Sequence, residues 1–153
     1  MTVINDAAAF TKSVLGNTVS KAYSPLVVET KTLFTVSGLC LVTAIIGKVT
    51  TAITVANTVK LQANPTTGTT QDLCAATDIG TTDTPAGNLI TIAGAPATAP
   101  VSGIGAVPMF ATAAAIAIDA GTIEQVTATG ADGGITWYLT YVPIADGATI
   151  VAA

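Results

Sequence analysis

The chain has 153 residues, with five lysines, nine acidic residues and neither arginine nor histidine. Without histidine there is no Ser-His-Asp triad, no Cys-His pair and no histidine-ligated metal site, and without arginine there is no bidentate phosphate clamp. A net charge of −4 and an isoelectric point near 4.3 argue against a protein that binds nucleic acid.

The surface of this protein is expected to be poor in charge. Only 9% of the residues are charged, whereas an average soluble domain has about 25%. Threonine and alanine occur 28 times each, and the mean hydropathy is +0.68. The length predicts one domain with a core of its own. Such a surface is typical of a subunit that is partly buried in an oligomer or a larger assembly.

Residues 1–25 are predicted to form an N-terminal arm, partly helical or extended. A short helix is expected over residues 7–15, where Phe10 and Val14 lie four positions apart and share a face. The arm is either a frayed terminus or a segment that docks on a neighbouring subunit. In the docking interpretation, the contact residues of the arm are Phe10, Lys12, Val14, Leu15 and Lys21.

Residues 26–153 are predicted to form a β domain, because short apolar runs alternate with Gly, Pro, Asn and Asp. The predicted strands span residues 32–36, 39–51, 59–63, 71–76, 88–92, 113–118, 122–128, 135–142 and 148–151. Gly47 is expected to be a bulge or bend. This spacing predicts an all-β, antiparallel sandwich, jelly roll or barrel. A parallel sheet would need helices of about 10–15 residues between the strands.

The strand over residues 135–142 has one aromatic face. Trp137, Leu139 and Tyr141 alternate on one side, while Tyr138 and Thr140 lie on the other. The aromatic face is expected to lie in the core of the domain. Alternatively it forms a subunit interface, where aromatic anchors are enriched, and Trp137 and Tyr141 are then the oligomer contacts.

Candidate chemical sites are few. Cys40 and Cys74 lie in apolar runs and are expected to be buried small hydrophobes, with a disulfide as the alternative. Asp72, Asp78 and Asp83 lie in one loop region and could gather a calcium ion, but their spacing matches no EF-hand. Acids in turns usually accept hydrogen bonds of the turn. We therefore expect no catalytic residue, no metal and no cofactor.

Charge is unevenly distributed along the chain. All five lysines lie within residues 1–60, which carry a net charge of +3, whereas residues 61–153 contain seven acids and no lysine. This is either chance or the mark of an N-terminal region that meets an acidic surface. Residues 84–118 carry no charge, but prolines and glycines interrupt them, which argues against a membrane-spanning helix. The N-terminus lacks the pattern of a signal peptide, so synthesis in the cytoplasm is expected.

Four segments of the chain resemble small virion proteins of tailed bacteriophages. They are Lys60-Leu61-Gln62-Ala63-Asn64-Pro65, Asp72-Leu73-Cys74, Ile135-Thr136-Trp137-Tyr138-Leu139-Thr140-Tyr141-Val142-Pro143 and Asp146-Gly147-Ala148. The resemblance covers roughly residues 26–150. It is one of general composition and not of a diagnostic motif, since those proteins are all-β, poor in histidine and rich in alanine, threonine and glycine.

The resemblance implies a capsid decoration, or cement, protein without enzymatic activity. Such a protein sits on the outer surface of the phage head and stabilises contacts between subunits of the major capsid protein, often as a homotrimer. The virion is then its location and the host cytoplasm its place of synthesis. The alternatives are a receptor- or glycan-binding module of a phage tail, and a tail-tube or connector subunit.

Overall fold

The protein is a β-sandwich of two antiparallel sheets. The computed structural model describes residues 16–92, 98–105, 115–130 and 132–153. Within these residues the strands are β1 (Asn17–Tyr23), β2 (Glu29–Ser37), β3 (Cys40–Thr51), β4 (Thr58–Pro65), β5 (Gln71–Asp72), β6 (Thr77–Asp78), β7 (Asn88–Thr91), β8 (Val101–Ile104), β9 (Ile116–Ile118), β10 (Gly121–Thr127), β11 (Gly134–Pro143) and β12 (Thr149–Ala152). The prediction of an all-β sandwich is confirmed. The barrel alternative is wrong, because the two sheets do not close on each other.

Within the described residues, each sheet has six strands. Sheet A has the order β1-β11-β3-β7-β8, and β9 also pairs with β3. Sheet B has the order β12-β2-β10-β4-β5, and β6 also pairs with β4. Strands β1 and β12 contact each other along one side of the sandwich. The loop after β6 and strands β7 and β8 lie on the opposite side.

The core is built from alternate residues of the central strands. Trp137 and Leu139 of β11 are buried on the inner side of sheet A, and Ile123 of β10 is buried on the inner side of sheet B. A β-bulge in β2 lies between the residues opposite Ile123 and Glu124. The bulge leaves Leu33 as an extra residue, so that Leu33 and Phe34 are both buried although they are neighbours in sequence.

Trp137 anchors the centre of this core. It is 2% exposed, and its Nε1 donates a hydrogen bond to Oε1 of Gln125, at 2.7 Å across the two sheets. Gln125 in turn donates from Nε2 to Oγ1 of Thr127, at 3.0 Å. Tyr141 is also buried. The core interpretation of the aromatic face is therefore confirmed, and the oligomer contacts predicted for Trp137 and Tyr141 do not fit these buried positions.

Gly47 lies opposite Trp137 in the pairing of β3 with β11. A Cβ atom at this position would lie 2.8 Å from Cζ3 and 3.0 Å from Cη2 of the indole. The irregularities of this strand pair occur elsewhere, at Gly134/Ile135 and at Thr140/Tyr141. The prediction of a bulge or bend at Gly47 is wrong, because the glycine instead leaves space for the indole ring.

Residues 17–23, which were expected in the N-terminal arm, form strand β1. Tyr23 at the end of β1 is buried. Its hydroxyl group donates to Oε1 of Glu29 at 3.0 Å and accepts from the backbone N–H of Val27 at 3.1 Å. The described part of this segment thus belongs to the β domain. The predicted helix over residues 7–15 lies outside the described residues.

Both cysteines are buried and free, so the disulfide alternative is wrong. Burial raises the pKa of the Cys40 and Cys74 thiols. Cys74 also accepts a hydrogen bond on Sγ from the backbone N–H of Leu61, at 3.3 Å. Both side chains behave as the small hydrophobes that were predicted.

Candidate interaction surface

The outward side of sheet A is almost free of charge. Strand pairing places alternate residues of β1, β3 and β11 on this side. Lys48 is the only charged residue among the outward residues of these three strands. We call the central part of this surface the apolar face, which consists of Leu41, Ala44 and Ile46 of β3 with Tyr138 and Val142 of β11.

Tyr138 is the most accessible side chain of the apolar face. It is 41% exposed, whereas the other four side chains are half-buried. Ile46 lies beside Tyr138 on β3, and Ser20 lies on its other side on β1. A tyrosine in this position presents a large apolar ring together with a polar hydroxyl, a combination that is enriched in protein interfaces.

The outward side of sheet B is polar instead. Glu124 of β10 lies at its centre and is only 7% exposed. Its Oε2 accepts from Nε2 of Gln62 at 2.8 Å, while its Oε1 accepts from Oγ1 of Thr122 at 2.7 Å and from Nδ2 of Asn64 at 3.2 Å. Burial alone would raise the pKa of Glu124, but these three hydrogen bonds outweigh burial and lower it.

The substitution Glu124→Gln is expected to lower the free energy of unfolding by about 1–3 kcal/mol at pH 7, because a neutral amide cannot accept from all three donors. The folded pKa of Glu124 lies below its unfolded pKa, so this stabilisation is complete above the unfolded pKa and is lost as the pH falls through the folded pKa. Urea unfolding of both proteins at pH 7 and pH 3 measures the difference. Asp146→Asn, at an exposed acid, is the control, and a stability difference independent of pH would contradict the assignment.

Asp132 and Asp78 accept hydrogen bonds that stabilise turns. Asp132 accepts on Oδ2 from Oγ1 of Thr54 at 2.7 Å and from its backbone N–H at 2.8 Å. Asp78 accepts from the hydroxyl of Thr81, and its Oδ1 accepts from the backbone N–H groups of Gly80 and Asn57, at 2.8 and 3.1 Å. These hydrogen bonds hold the pKa of both carboxyl groups below its usual range. The turn interpretation is confirmed for Asp78.

Asp72, by contrast, forms an ion pair with Lys60, with Nζ and Oδ1 2.6 Å apart. Within the described ranges, no group of three or more His, Cys, Asp or Glu side chains is placed to hold a metal ion.

Three of the residues predicted as contacts, Lys21, Trp137 and Tyr141, lie in the described part of the chain, and Lys21 lies opposite Trp137 in the pairing of β1 with β11. Phe10, Lys12, Val14 and Leu15 lie outside the described residues. Lys21 points inward from the edge strand β1, and its Nζ donates to the carbonyl oxygen of Ala153. An inward-pointing charge on an edge strand disfavours pairing with another strand. Trp137 and Tyr141 are core residues. The exposed aromatic side chain of β11 is Tyr138, which the alternation of the strand had already placed on the other face.

No helix in the described part of the chain is long and apolar enough to cross a membrane. Comparisons of the chain with protein-family models, with curated proteins and with solved structures gave no match.

Proposed function

We propose that the protein is a non-enzymatic structural subunit of a virion, a capsid decoration protein that assembles as a homotrimer and stabilises contacts between major capsid subunits. The observation that carries this proposal is the apolar face of sheet A. The resemblance of residues 26–150 to small phage virion proteins is the reason for proposing a virion as the assembly.

The apolar face is suited to contact with a second copy of the chain. Its residues lie on two adjacent strands, β3 and β11, which form the most extensive strand pairing of sheet A. A rigid sheet loses little conformational freedom on binding, so the apolar area that is removed from water contributes efficiently to association. Tyr138 is the anchor expected at the centre of this contact.

Many copies of the protein together would stabilise a shell. Each copy contributes a modest interface, but copies that are already joined as a trimer bind neighbouring capsid subunits with a high effective concentration. The predicted capsid contacts Phe10, Lys12, Val14 and Leu15 precede β1, so that contact with the capsid and contact between copies would involve different parts of the chain.

The first prediction of this proposal concerns native mass. Light scattering over a concentration series is expected to give a trimer of about 45 kDa from chains of 15.1 kDa each. The substitution Tyr138→Lys is expected to shift the equilibrium to monomer, because it places a charge at the centre of the buried contact. Val151→Lys is the matched control, since Val151 is 52% exposed but lies on β12 of the other sheet.

The outcomes separate the two parts of the proposal. A wild-type protein that stays monomeric at all concentrations would contradict the trimer, as would equal effects of the two lysine substitutions. The virion assignment is tested separately, by sedimentation of the wild-type trimer with undecorated phage shells. Failure to bind any shell, or spontaneous assembly into tubes or rings, would instead favour a tail module or a tail-tube subunit.

A further inference from the structure

A cleft of about 380 Å³ opens on the side of the sandwich opposite β1 and β12. The loop after β6 forms one wall, and strands β7 and β8 form the other. All of its polar side chains carry oxygen: four threonines, two aspartates, one serine and one asparagine. The remaining wall is made by Ile79, Ile90 and Pro100, and no lysine lines the cleft.

Asn88 is the unusual residue of this cleft. It is 6% exposed, and its Nδ2 donates to Oγ of Ser102 at 2.5 Å. Its Oδ1 is buried and accepts no hydrogen bond. Buried polar atoms are nearly always paired, so an unpaired amide oxygen in a cleft requires an explanation. A hydrogen-bond donor or a cation held in the cleft would pair this oxygen.

The cleft also has a fixed negative charge. Asp78 lies in its wall, and hydrogen bonds from Thr81, Gly80 and Asn57 hold this carboxylate in place. They also keep its pKa well below the usual range, so that the charge persists in acid. Because its Oδ1 already accepts three N–H groups, Asp78 contributes mainly its charge. Asp83 lines the same cleft and is exposed, so its carboxylate is accessible to a ligand.

We propose that this cleft binds a calcium ion, with the carboxylate of Asp83, Oδ1 of Asn88 and Oγ of Ser102 as its protein ligands. Calcium takes carboxylate, amide and hydroxyl or water oxygens in flexible geometry, whereas magnesium demands a near-ideal octahedron and gives up water reluctantly. The orphan oxygen of Asn88 is the neutral ligand that such a site needs. With two acids in the wall, the site belongs to the weak class, with a Kd of about 10⁻⁴–10⁻³ M.

The test is calorimetric titration of the full chain with calcium chloride and, separately, with magnesium chloride. We expect saturable calcium binding in the stated range and magnesium binding at least about tenfold weaker. Asp83→Asn is expected to weaken calcium binding by about tenfold or more. Asp146→Asn removes the same charge beside the start of β3, at the far end of the sandwich, and is expected to leave the affinity unchanged.

A second variant tests the assignment of Asn88 directly. Asn88→Asp adds a carboxylate at the proposed ligand position and is expected to tighten calcium binding, with a larger calcium-dependent rise in Tm than the wild type shows. If Asn88→Asp does not fold, Ser102→Ala takes its place and is expected to weaken binding. Absence of saturable binding, equal affinity for magnesium, or equal losses in Asp83→Asn and Asp146→Asn would overturn the proposal.

Discussion

The substitution Gly47→Ala is expected to lower the free energy of unfolding by about 1–3 kcal/mol, and Gly47→Val by more. The added Cβ would lie 2.8–3.1 Å from three ring atoms of Trp137, and the shortest of these separations is one that a Cβ atom does not adopt in packed proteins. The ring cannot move away easily, because its Nε1 is bonded to Gln125 of the opposite sheet. Urea denaturation, with the midpoint and the slope fitted separately, measures the loss.

The cause of this loss of stability is tested by replacing Trp137 with a smaller side chain. In a Trp137→Leu background the indole ring is absent, so Gly47→Ala is expected to cost much less than it does in the wild type. The two substitutions therefore should be strongly non-additive, as expected for residues in contact. Equal costs of Gly47→Ala in the two backgrounds would show that its effect comes from the backbone of β3 and not from the ring.

The sandwich was predictable because its central strands follow simple alternation. Residues 135–142 alternate inward and outward, and the structure buries the same face that the sequence marked as aromatic. The long apolar run of residues 39–51 became β3 for the same reason. When one side of a strand is buried and the other is exposed, the alternation of apolar and polar residues predicts which side faces the core.

The strands that were not predicted lack this signal. Strand β1 reads Asn-Thr-Val-Ser-Lys-Ala-Tyr, with the small residues Thr18, Ser20 and Ala22 on its outward side and a lysine on its inward side. It is an edge strand whose outward residues are exposed and whose inward residues are half-buried as far as the buried Tyr23, and its order comes from pairing with β11. Strand β6 has two residues, which is too short for a period to be read, and β8 contains Gly103, which has no side chain to mark a face.

The functional residues were harder to place than the strands. Tyr138 was assigned to the correct side of its strand, but Trp137 and Tyr141 were predicted as the contacts because aromatic anchors are enriched in interfaces. Which side of a sheet faces the second sheet depends on partners that are distant in the chain. The unpaired oxygen of Asn88 could not be predicted from the sequence, because its burial depends on how β7, β8 and the loop after β6 pack together.

The hydrogen bond between Trp137 and Gln125 gives the second large expected effect. Trp137→Phe keeps an aromatic ring but leaves Oε1 of Gln125 unpaired between the sheets, and Gln125→Leu leaves the indole N–H unpaired in the same place. Each substitution is expected to lower the free energy of unfolding by about 1–3 kcal/mol from the unpaired group, and Trp137→Phe also loses packing volume. Thermal and urea unfolding of the single variants measures these costs.

The double variant decides whether the bond itself is responsible. When both partners are replaced by apolar side chains, no buried donor or acceptor of this pair remains, and Gln125→Leu with Trp137→Phe is expected to be less destabilising than the sum of the two single changes. Thr127 loses the donor Nε2 of Gln125 in both Gln125 variants, so that loss cancels in the cycle. Strict additivity would mean that the sandwich depends on the volume of the indole and not on its polar link between the sheets.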